Sequence, residues 1–448
     1  MRSMLFLLAF SGAVRAGEFS VTLKSAEESA LAASNQYKSA KFSAEAARAA
    51  AAASGSLLYP RLSLEGGLRY NEVVPEITMP AALGGARPLG DNWNYSIGPT
   101  AAWTLFDGGV LSSGRLAAVR TAAARQAEAE NSRRQVILRA RTAYFQLQLA
   151  LERVYIVGEA LRLSLSQFKD ISLGARAGAR SRLDVLRAGQ ETLARKRDLL
   201  RARAGLSGAL RDFSFAAGLE LPGDAGMPMD SRMSGLDYGG AEPASIMVNA
   251  EPYEAILARL GHAAHFGFEP EPPAVKAFNE AERAYRAQAG AHKAERSPRL
   301  ILGARSSLDY PNGPNLYSFV QNSASLSLSL PLFESGLFSE KEKESALNAA
   351  SALEKRDEAA LAAERDFKKT SDAYKALLAE ESINLEALAS AAEAAKLAYE
   401  AYKFGSGTWL EVESANFKEL QARTAAAETK AEILLKLALL DSLTGERS

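Results

Sequence analysis

The sequence contains no cysteine in 448 residues. That excludes disulfides, thiol catalysis and cysteine-ligated zinc. Histidine is almost as scarce: only His262, His265 and His292. The pair His262-x-x-His265 could supply two ligands, but the third histidine is distant and no acidic motif surrounds them, so no metal site is expected. Net charge is also missing, with 53 basic against 53 acidic side chains. No global basic field therefore argues for a nucleic-acid partner. Beyond the first residues no stretch approaches ~18 uninterrupted apolar positions, the minimum for a membrane-spanning helix. No Ser–His–Asp set, phosphate-binding loop or pair of catalytic carboxylates stands in a workable frame, so no enzyme and no cofactor are expected.

The N-terminus has the layout of an export signal. Arg2 precedes the apolar core Met4–Phe10 and the small-residue ending Ala13-Val14-Arg15-Ala16, so Met1–Ala16 is expected to be a signal peptide. An exported chain without a spanning helix is either soluble or a barrel.

Asn92–Glu130 distinguishes these two. From Trp93 to Leu105 the odd positions are Trp93, Tyr95, Ile97, Pro99, Ala101, Trp103 and Leu105; the even ones are polar or small. This is the period of a strand with one apolar face. Trp93 and Trp103 share that face ten residues apart, roughly 33 Å along a strand and about 25 Å once tilted by ~40°. The span suits the apolar band of an outer-membrane barrel, with aromatic girdles at Trp93, Trp103, Tyr70, Tyr310, Phe106 and Phe333. Asp107-Gly108-Gly109 then leads into a long Ala/Arg/Glu helix.

The same transition recurs, as expected of a duplicated chain. Phe106-Asp107-Gly108-Gly109 aligns with Phe333-Glu334-Ser335-Gly336, and the Gly178-x4-Leu183-Asp184-Val185 turn aligns with Gly405-x4-Leu410-Glu411-Val412. Both alignments have one offset: 333 − 106 = 227 and 405 − 178 = 227. Helices of fixed length between the landmarks would produce this.

In chain order, an Ala-rich helix is expected over 22–58, then a strand from Pro60 to Tyr70. A loop rich in Pro and Gly follows over 72–91, then the strand ending at Phe106. A continuous helix from Leu111 to about Leu173 would run about 90 Å, with a return helix over 183–215. The second copy repeats this: a helix over 273–296, a strand entered at Pro298-Arg299-Leu300, a turn at Pro311–Pro314, and a strand Ser323–Phe333. Helices over Leu337–Phe404 and 410–443 follow. The expected boundaries are a signal at 1–16, a first repeat at 17–216, a connector at 217–272 with a helix near 251–265, and a second repeat at 273–448.

Four strands cannot close a barrel, since about eight is the smallest that fills itself. Open edges do not occur in lipid. The strands must therefore be pooled between subunits, and long helices lining a tube favour three chains over two.

This pattern resembles the TolC-like outer-membrane efflux proteins over nearly the whole chain. The resemblance rests on the entries Tyr59-Pro60-Arg61-Leu62 and Ser297-Pro298-Arg299-Leu300, the two strand exits and the two Gly-x4-Leu-Asp/Glu-Val turns, all in duplicated order. It implies an α+β membrane protein: a homotrimer whose twelve strands form a barrel, continuous with a helical coiled-coil barrel in the periplasm. The implied function is an outer-membrane export duct for efflux or type I secretion, passive in itself. Its partners would be a periplasmic adaptor, an inner-membrane transporter and outer-membrane lipid. The alternative reading is a structural envelope coiled-coil protein without transport.

The resemblance also places Gly178, Asp184, Tyr402, Gly405 and Glu411 at the periplasmic tip, where the tube closes and the adaptor docks. Tyr402 and Asp184 match a latch pair there. Glu411 could instead only favour a helix start, or three copies of it could form a cation-selecting acidic ring. The chain departs from the best-known member at Ser414, where a second lumenal acid would stand, and at Gly407, where an Arg would. It also lacks the lipid-anchor cysteine of some members.

Overall fold

The computed structural model describes residues 18–80, 85–220, 229–230, 232, 247–262 and 267–444. The expected signal peptide and His265 lie outside these residues. In chain order the elements begin with β1 (Glu18–Val21), α1 (Leu23–Ala33), α2 (Asn35–Ser56), β2 (Arg61–Tyr70), β3 (Glu76–Thr78), β4 (Ala86–Pro88) and β5 (Trp93–Phe106). Next come α3 (Val110–Arg176), α4 (Arg182–Ala217), β6 (Met229–Asp230), β7 (Met247–Ala250) and α5 (Tyr253–Leu260). The chain finishes with α6 (Pro273–Ala294), β8 (Arg299–Tyr310), β9 (Phe319–Ser329), α7 (Leu337–Lys403) and α8 (Trp409–Thr444).

The chain divides into a helical unit (Met1–Lys38, Glu130–Pro272, Ala360–Ser448) and a sheet unit (Ser39–Ala129, Pro273–Ala359). The two long helices are each 67 residues and their return helices each 36. These pairs match the constant offset read from the sequence.

The helical unit is held by an apolar core. Leu23, Tyr144, Phe145, Leu206, Leu210, Phe213, Ile256, Leu260, Ile433 and Leu437 are buried together. Tyr144 packs edge-on against Phe213, with ring centroids 5.7 Å apart. Its hydroxyl donates to Val21 O at 3.0 Å and accepts from Glu251 N at 2.9 Å. One phenol thus satisfies two backbone groups from segments far apart in sequence. Burial pushes that phenol up to about 12. The buried Arg141 guanidinium pairs with Glu27 at 2.6 Å and also with Asp441, so α3, α1 and α8 share one charge centre. The strands β1, β7 and β6 form a small parallel sheet in that order.

The sheet unit holds the four antiparallel strands in the order β2-β5-β8-β9. Register confirms the faces read from the sequence. Leu62, Leu64, Leu68 and Tyr70 stand opposite Ala101, Pro99, Tyr95 and Trp93. Ile97 and Trp103 stand opposite Leu308 and Leu302; Leu300, Leu302 and Leu308 in turn face Leu328, Leu326 and Val320. Opposite residues share a face, so these form one apolar surface. The other surface carries Arg61, Ser63, Glu65, Arg69, Ser96, Thr100, Arg305 and the serines of β9. At Gly98 a Cβ would sit 2.0 Å from Ser306 O, so only glycine lets β5 and β8 approach there.

Four local expectations need correction, the first being the strand expected over Ser323–Phe333, which runs over Phe319–Ser329 and ends four residues before Phe333. The helix over 22–58 is two helices: Ser34 is extended (φ −61, ψ 112) and its Oγ accepts from Tyr37 N at 3.2 Å. A serine capping a new first turn competes with helix continuation. The loop over 72–91 contains the short antiparallel pair β3–β4. In the connector the helix is shorter than expected, ending at Leu260, and β6 and β7 accompany it.

Candidate functional site

Two regions carry the expected site residues: the strand sheet in one unit and the paired helical turns in the other. In the sheet, Tyr70 and Trp93 rings lie 5.1 Å apart, and Tyr95 stacks on Tyr310 at 5.0 Å. Tyr310 donates its hydroxyl to Asp91 at 2.7 Å. These four rings gather at the strand ends near the β8–β9 turn. At the opposite ends Trp103 donates its indole N–H to Leu58 O at 3.0 Å, and Phe106 lies opposite Leu300. Phe333 follows β9 and is exposed. Among the described residues none covers the apolar surface between the rings: Leu62, Leu64, Leu68 and Leu328 are 78, 73, 67 and 71% exposed. So much open leucine on one face marks a surface meant for an apolar environment. The strand exit is fixed by Asp107, whose carboxylate accepts from Gly109 N at 2.9 Å and Leu111 N at 2.7 Å. It caps the first turn of α3.

The turns α3–α4 and α7–α8 have the same backbone design. Gly178 has φ +79 and Gly405 has φ +80. In the first turn Gly178 N donates to Ala175 O and Ala179 N to Gly174 O, at 3.1 and 2.9 Å. In the second, Gly405 N donates to Tyr402 O and Ser406 N to Ala401 O, at 3.1 and 3.0 Å. Both are Schellman endings, which need a left-handed residue after the helix. Among the described residues no atom lies within 4 Å of where a Cβ would stand on either glycine. The glycines therefore serve backbone conformation, not close approach.

Each return helix is then capped. Ser181 Oγ accepts from Asp184 N at 3.1 Å. Thr408 Oγ1 accepts from Glu411 N at 3.4 Å while Glu411 Oε2 accepts from Thr408 N at 2.7 Å. The latter is a capping box, so Glu411 does favour the start of α8.

Beneath the turns lies a compact cluster of Ile171, Ala188, Tyr402, Trp409 and Val412, all buried. Tyr402 and Trp409 meet edge-on at 5.5 Å. The expected pair Tyr402–Asp184 is brought together, but not as a hydrogen bond of normal geometry: the Tyr402 hydroxyl is buried and unpartnered. Burial, and then the negative charge of Asp184, push its phenol up, while Arg180 opposes the shift. The Arg180 guanidinium lies over the Tyr402 ring, 4.2 Å from its centroid, and donates to Lys403 O at 2.9 Å. This arginine stands two residues after Gly178, the same step at which Gly407 follows Gly405.

Sequence reading misses several residues here. Trp409 sits inside the second turn motif, where spacing alone assigns it no role. Tyr399 donates to Asp170 at 2.8 Å, joining α7 to α3. Glu191 is buried beside Arg195, and burial pushes its carboxyl up. None of these residues stands in a pattern that the sequence alone marks.

The profile of the outer membrane efflux protein family matches residues 26–219 and 271–446, which is most of the chain. The chain belongs to the outer membrane efflux protein family. It is thus a bacterial outer-membrane transport protein rather than an enzyme. Solved structures share the fold of this efflux protein. VceC of Vibrio cholerae is 19% identical with a TM-score of 0.71, over 94% of this chain and 96% of that one. A membrane protein of Pseudomonas aeruginosa is 19% identical with a TM-score of 0.72, over 94% and 93%. CusC is 17% identical with a TM-score of 0.74, over 95% and 92%. Among curated proteins, none matches the chain.

Proposed function

We propose that this efflux protein is a passive export duct, built as a homotrimer from a duplicated chain. Three four-stranded sheets close a twelve-stranded barrel in the outer membrane, and the helical unit extends into the periplasm. The observation that carries this reading is the sheet with one bare apolar face and two open edges, β2 and β9. Edges cannot be left unpaired in hydrocarbon, and one sheet is too narrow to close alone. The rings of Tyr70, Trp93 and Tyr310, and of Trp103, Phe106 and Phe333, then lie at the two lipid–water boundaries. A structural coiled-coil protein would have no use for the bare strand face.

In this reading the Gly178 and Gly405 turns are the periplasmic tip, where an adaptor docks and joins the duct to an inner-membrane transporter. Tyr402 and Asp184 hold the closed entrance. One Glu411 from each chain gives a single acidic ring, with one carboxylate oxygen engaged by Thr408 N. The first repeat runs to 216, the connector to 272 and the second repeat to the end.

The test sets Leu328→Arg against Ser327→Arg, neighbours on opposite faces. Arginine at 328 is expected to cost about 2–4 kcal/mol per subunit near the bilayer midplane and prevent membrane assembly. Arginine at 327 is expected to be tolerated. Heat-modifiable migration of the extracted protein reads both, and equal tolerance overturns the lipid-facing assignment.

A further inference from the structure

Helix α4 places a carboxylate where most of its neighbours are small or apolar. Its inward stripe runs through Ala188, Glu191, Thr192, Arg195 and Leu199, so Glu191 and Arg195 enter the helical unit one turn apart. Thr192 settles its own hydroxyl on Ala188 O at 3.0 Å. Glu191 has no such outlet. Its Oε2 is buried without a hydrogen-bond partner among the described residues, and Arg195 reaches only the other oxygen, at 3.8 Å. That arginine is shared with Asp198, 3.4 Å away. A buried carboxylate left in this way is costly, so it either takes up a proton or finds a donor.

Glu191 lines a cavity of about 210 Å³ between α3 and α4 of one hairpin and α8 of the other. All its walls belong to the helical unit. Ile156 and Leu163 of α3 and Leu420 of α8 supply apolar wall. Ordinary ligand pockets run to roughly 300–1,000 Å³, so this one suits a compact molecule.

The charges around the cavity are sorted by depth. The side chains of Glu191 and Glu419 are only 4 and 14% exposed, whereas those of Arg162 and Arg423 at its mouth are 63 and 42% exposed. Each of these two arginines is already engaged on its own helix, Arg162 with Glu159 at 2.5 Å and Arg423 with Glu419 at 2.6 Å. Arg423 takes only Oε1 of Glu419, so Oε2 of Glu419 is also without a partner among the described residues. Burial pushes the Glu191 carboxyl up; Arg195 opposes that shift and the negative charge of Glu413 adds to it. The interior therefore offers two open acceptors, and what it lacks is a positively charged donor.

We propose that this cavity binds one compact organic cation, a primary ammonium on a short hydrocarbon body. The ammonium donates to Oε2 of Glu191 and of Glu419, and the hydrocarbon lies against Ile156, Leu163 and Leu420. An anion would meet buried carboxylates. A metal ion has no set of three acids or histidines to hold it among the described residues. A cation seated here bridges α4 to α8 and so fastens one hairpin to the other. The site lies within one chain and does not rest on how chains assemble.

The test uses the full-length protein extracted in detergent, with Glu411→Gln present throughout to silence that carboxylate. Cyclohexylammonium chloride is titrated by calorimetry at neutral pH, beside cyclohexanol and cyclohexanecarboxylate as its neutral and anionic counterparts. The ammonium is expected to bind once per chain and to slow amide exchange over 188–195 and 416–423, and the two counterparts to do neither. Glu191→Gln keeps the side chain's shape and is expected to lower affinity about tenfold or more, the scale of a charge-assisted hydrogen bond. Glu386→Gln, an exposed acid of α7 outside the cavity, is expected to change nothing. Ala160→Leu narrows the cavity without removing a charge and is expected to weaken binding as well. Unchanged affinity in folded Glu191→Gln protein overturns the proposal. Equal binding of cyclohexanol overturns it too, by making the cavity an apolar void. No heat and no protection at millimolar ammonium overturns it by leaving Glu191 to water or to a proton. None of these failures touches the export reading, which needs no ligand here.

Discussion

The two helical turns share a backbone and differ in everything attached to it. Each has a left-handed glycine, a Schellman pair of hydrogen bonds and a hydroxyl cap. Yet the first turn contributes a cation, Arg180, while the second contributes Trp409 at the position matching Arg182. The backbone geometry is the same in both turns and glycine stands in each, because no other residue adopts it cheaply. The side chains were divided: one turn supplies the anchor and the other reaches across to hold it.

Breaking the anchor should have the largest effect. Trp409→Ala removes a side chain only 2% exposed and should cost about 3–5 kcal/mol. Arg182→Ala, its counterpart, should stay within about 0.5 kcal/mol. Amide hydrogen exchange over 168–188 and 398–412 reads both, and equal effects would show the two turns to be interchangeable.

The glycines should respond alike. Gly178→Val and Gly405→Val are each expected to cost about 1–2 kcal/mol, because strain and not collision is the cause at both. Export should be lost while assembled protein remains in the membrane. Export retained by such assemblies would separate the turns from the entrance.

The clamp comes next. Arg180→Ala should cost about 0.5–1 kcal/mol, the scale of an accessible cation–π contact. It should also raise the Tyr402 phenol further, since Arg180 is the group that opposes the shift. For a phenol raised in the folded state, stability is complete below the ordinary value near 10 and is lost as pH rises through the folded value. Ultraviolet titration of wild type and variant should place the variant's alkaline transition higher; an unchanged transition would mean that Arg180 does not reach Tyr402 in solution.

Glu411→Gln should be the mildest. Glutamine keeps the capping hydrogen bond, so only about 0.3–1 kcal/mol of helix-terminus electrostatics is lost. Single-channel recording then isolates the ring: cation preference and block by trivalent cations should both fall. If neither changes, Glu411 is a capping residue alone.

Much of this was legible because it depends on local spacing. Leu326 and Leu328 announce a strand face by alternation, and Gly178 and Gly405 announce helix ends by their place after Pro-free runs. What stayed hidden depends on partners remote in sequence. The four residues of β1 pair with β7, more than two hundred positions away, and so short a strand shows no period. Trp409 reads as one apolar residue among many until Tyr402 is placed against it. The carboxylates Glu27 and Asp441 resemble solvated charges, although both converge on the buried Arg141. At the paired turns Tyr402–Asp184 was legible only through the family resemblance, whereas Arg180, whose contact crosses between the hairpins in the same way, is marked by no motif.

The open edges of β2 and β9 have a consequence for how the protein comes to exist in the membrane. In the proposed trimer a sheet that needs neighbours on both sides has no finished state as a single chain, so its stability in lipid is tied to mass action. Dilution of newly exported chains should then stall insertion rather than merely slow it. Variants that weaken contacts between subunits would look like folding mutants, although every contact within the chain is intact.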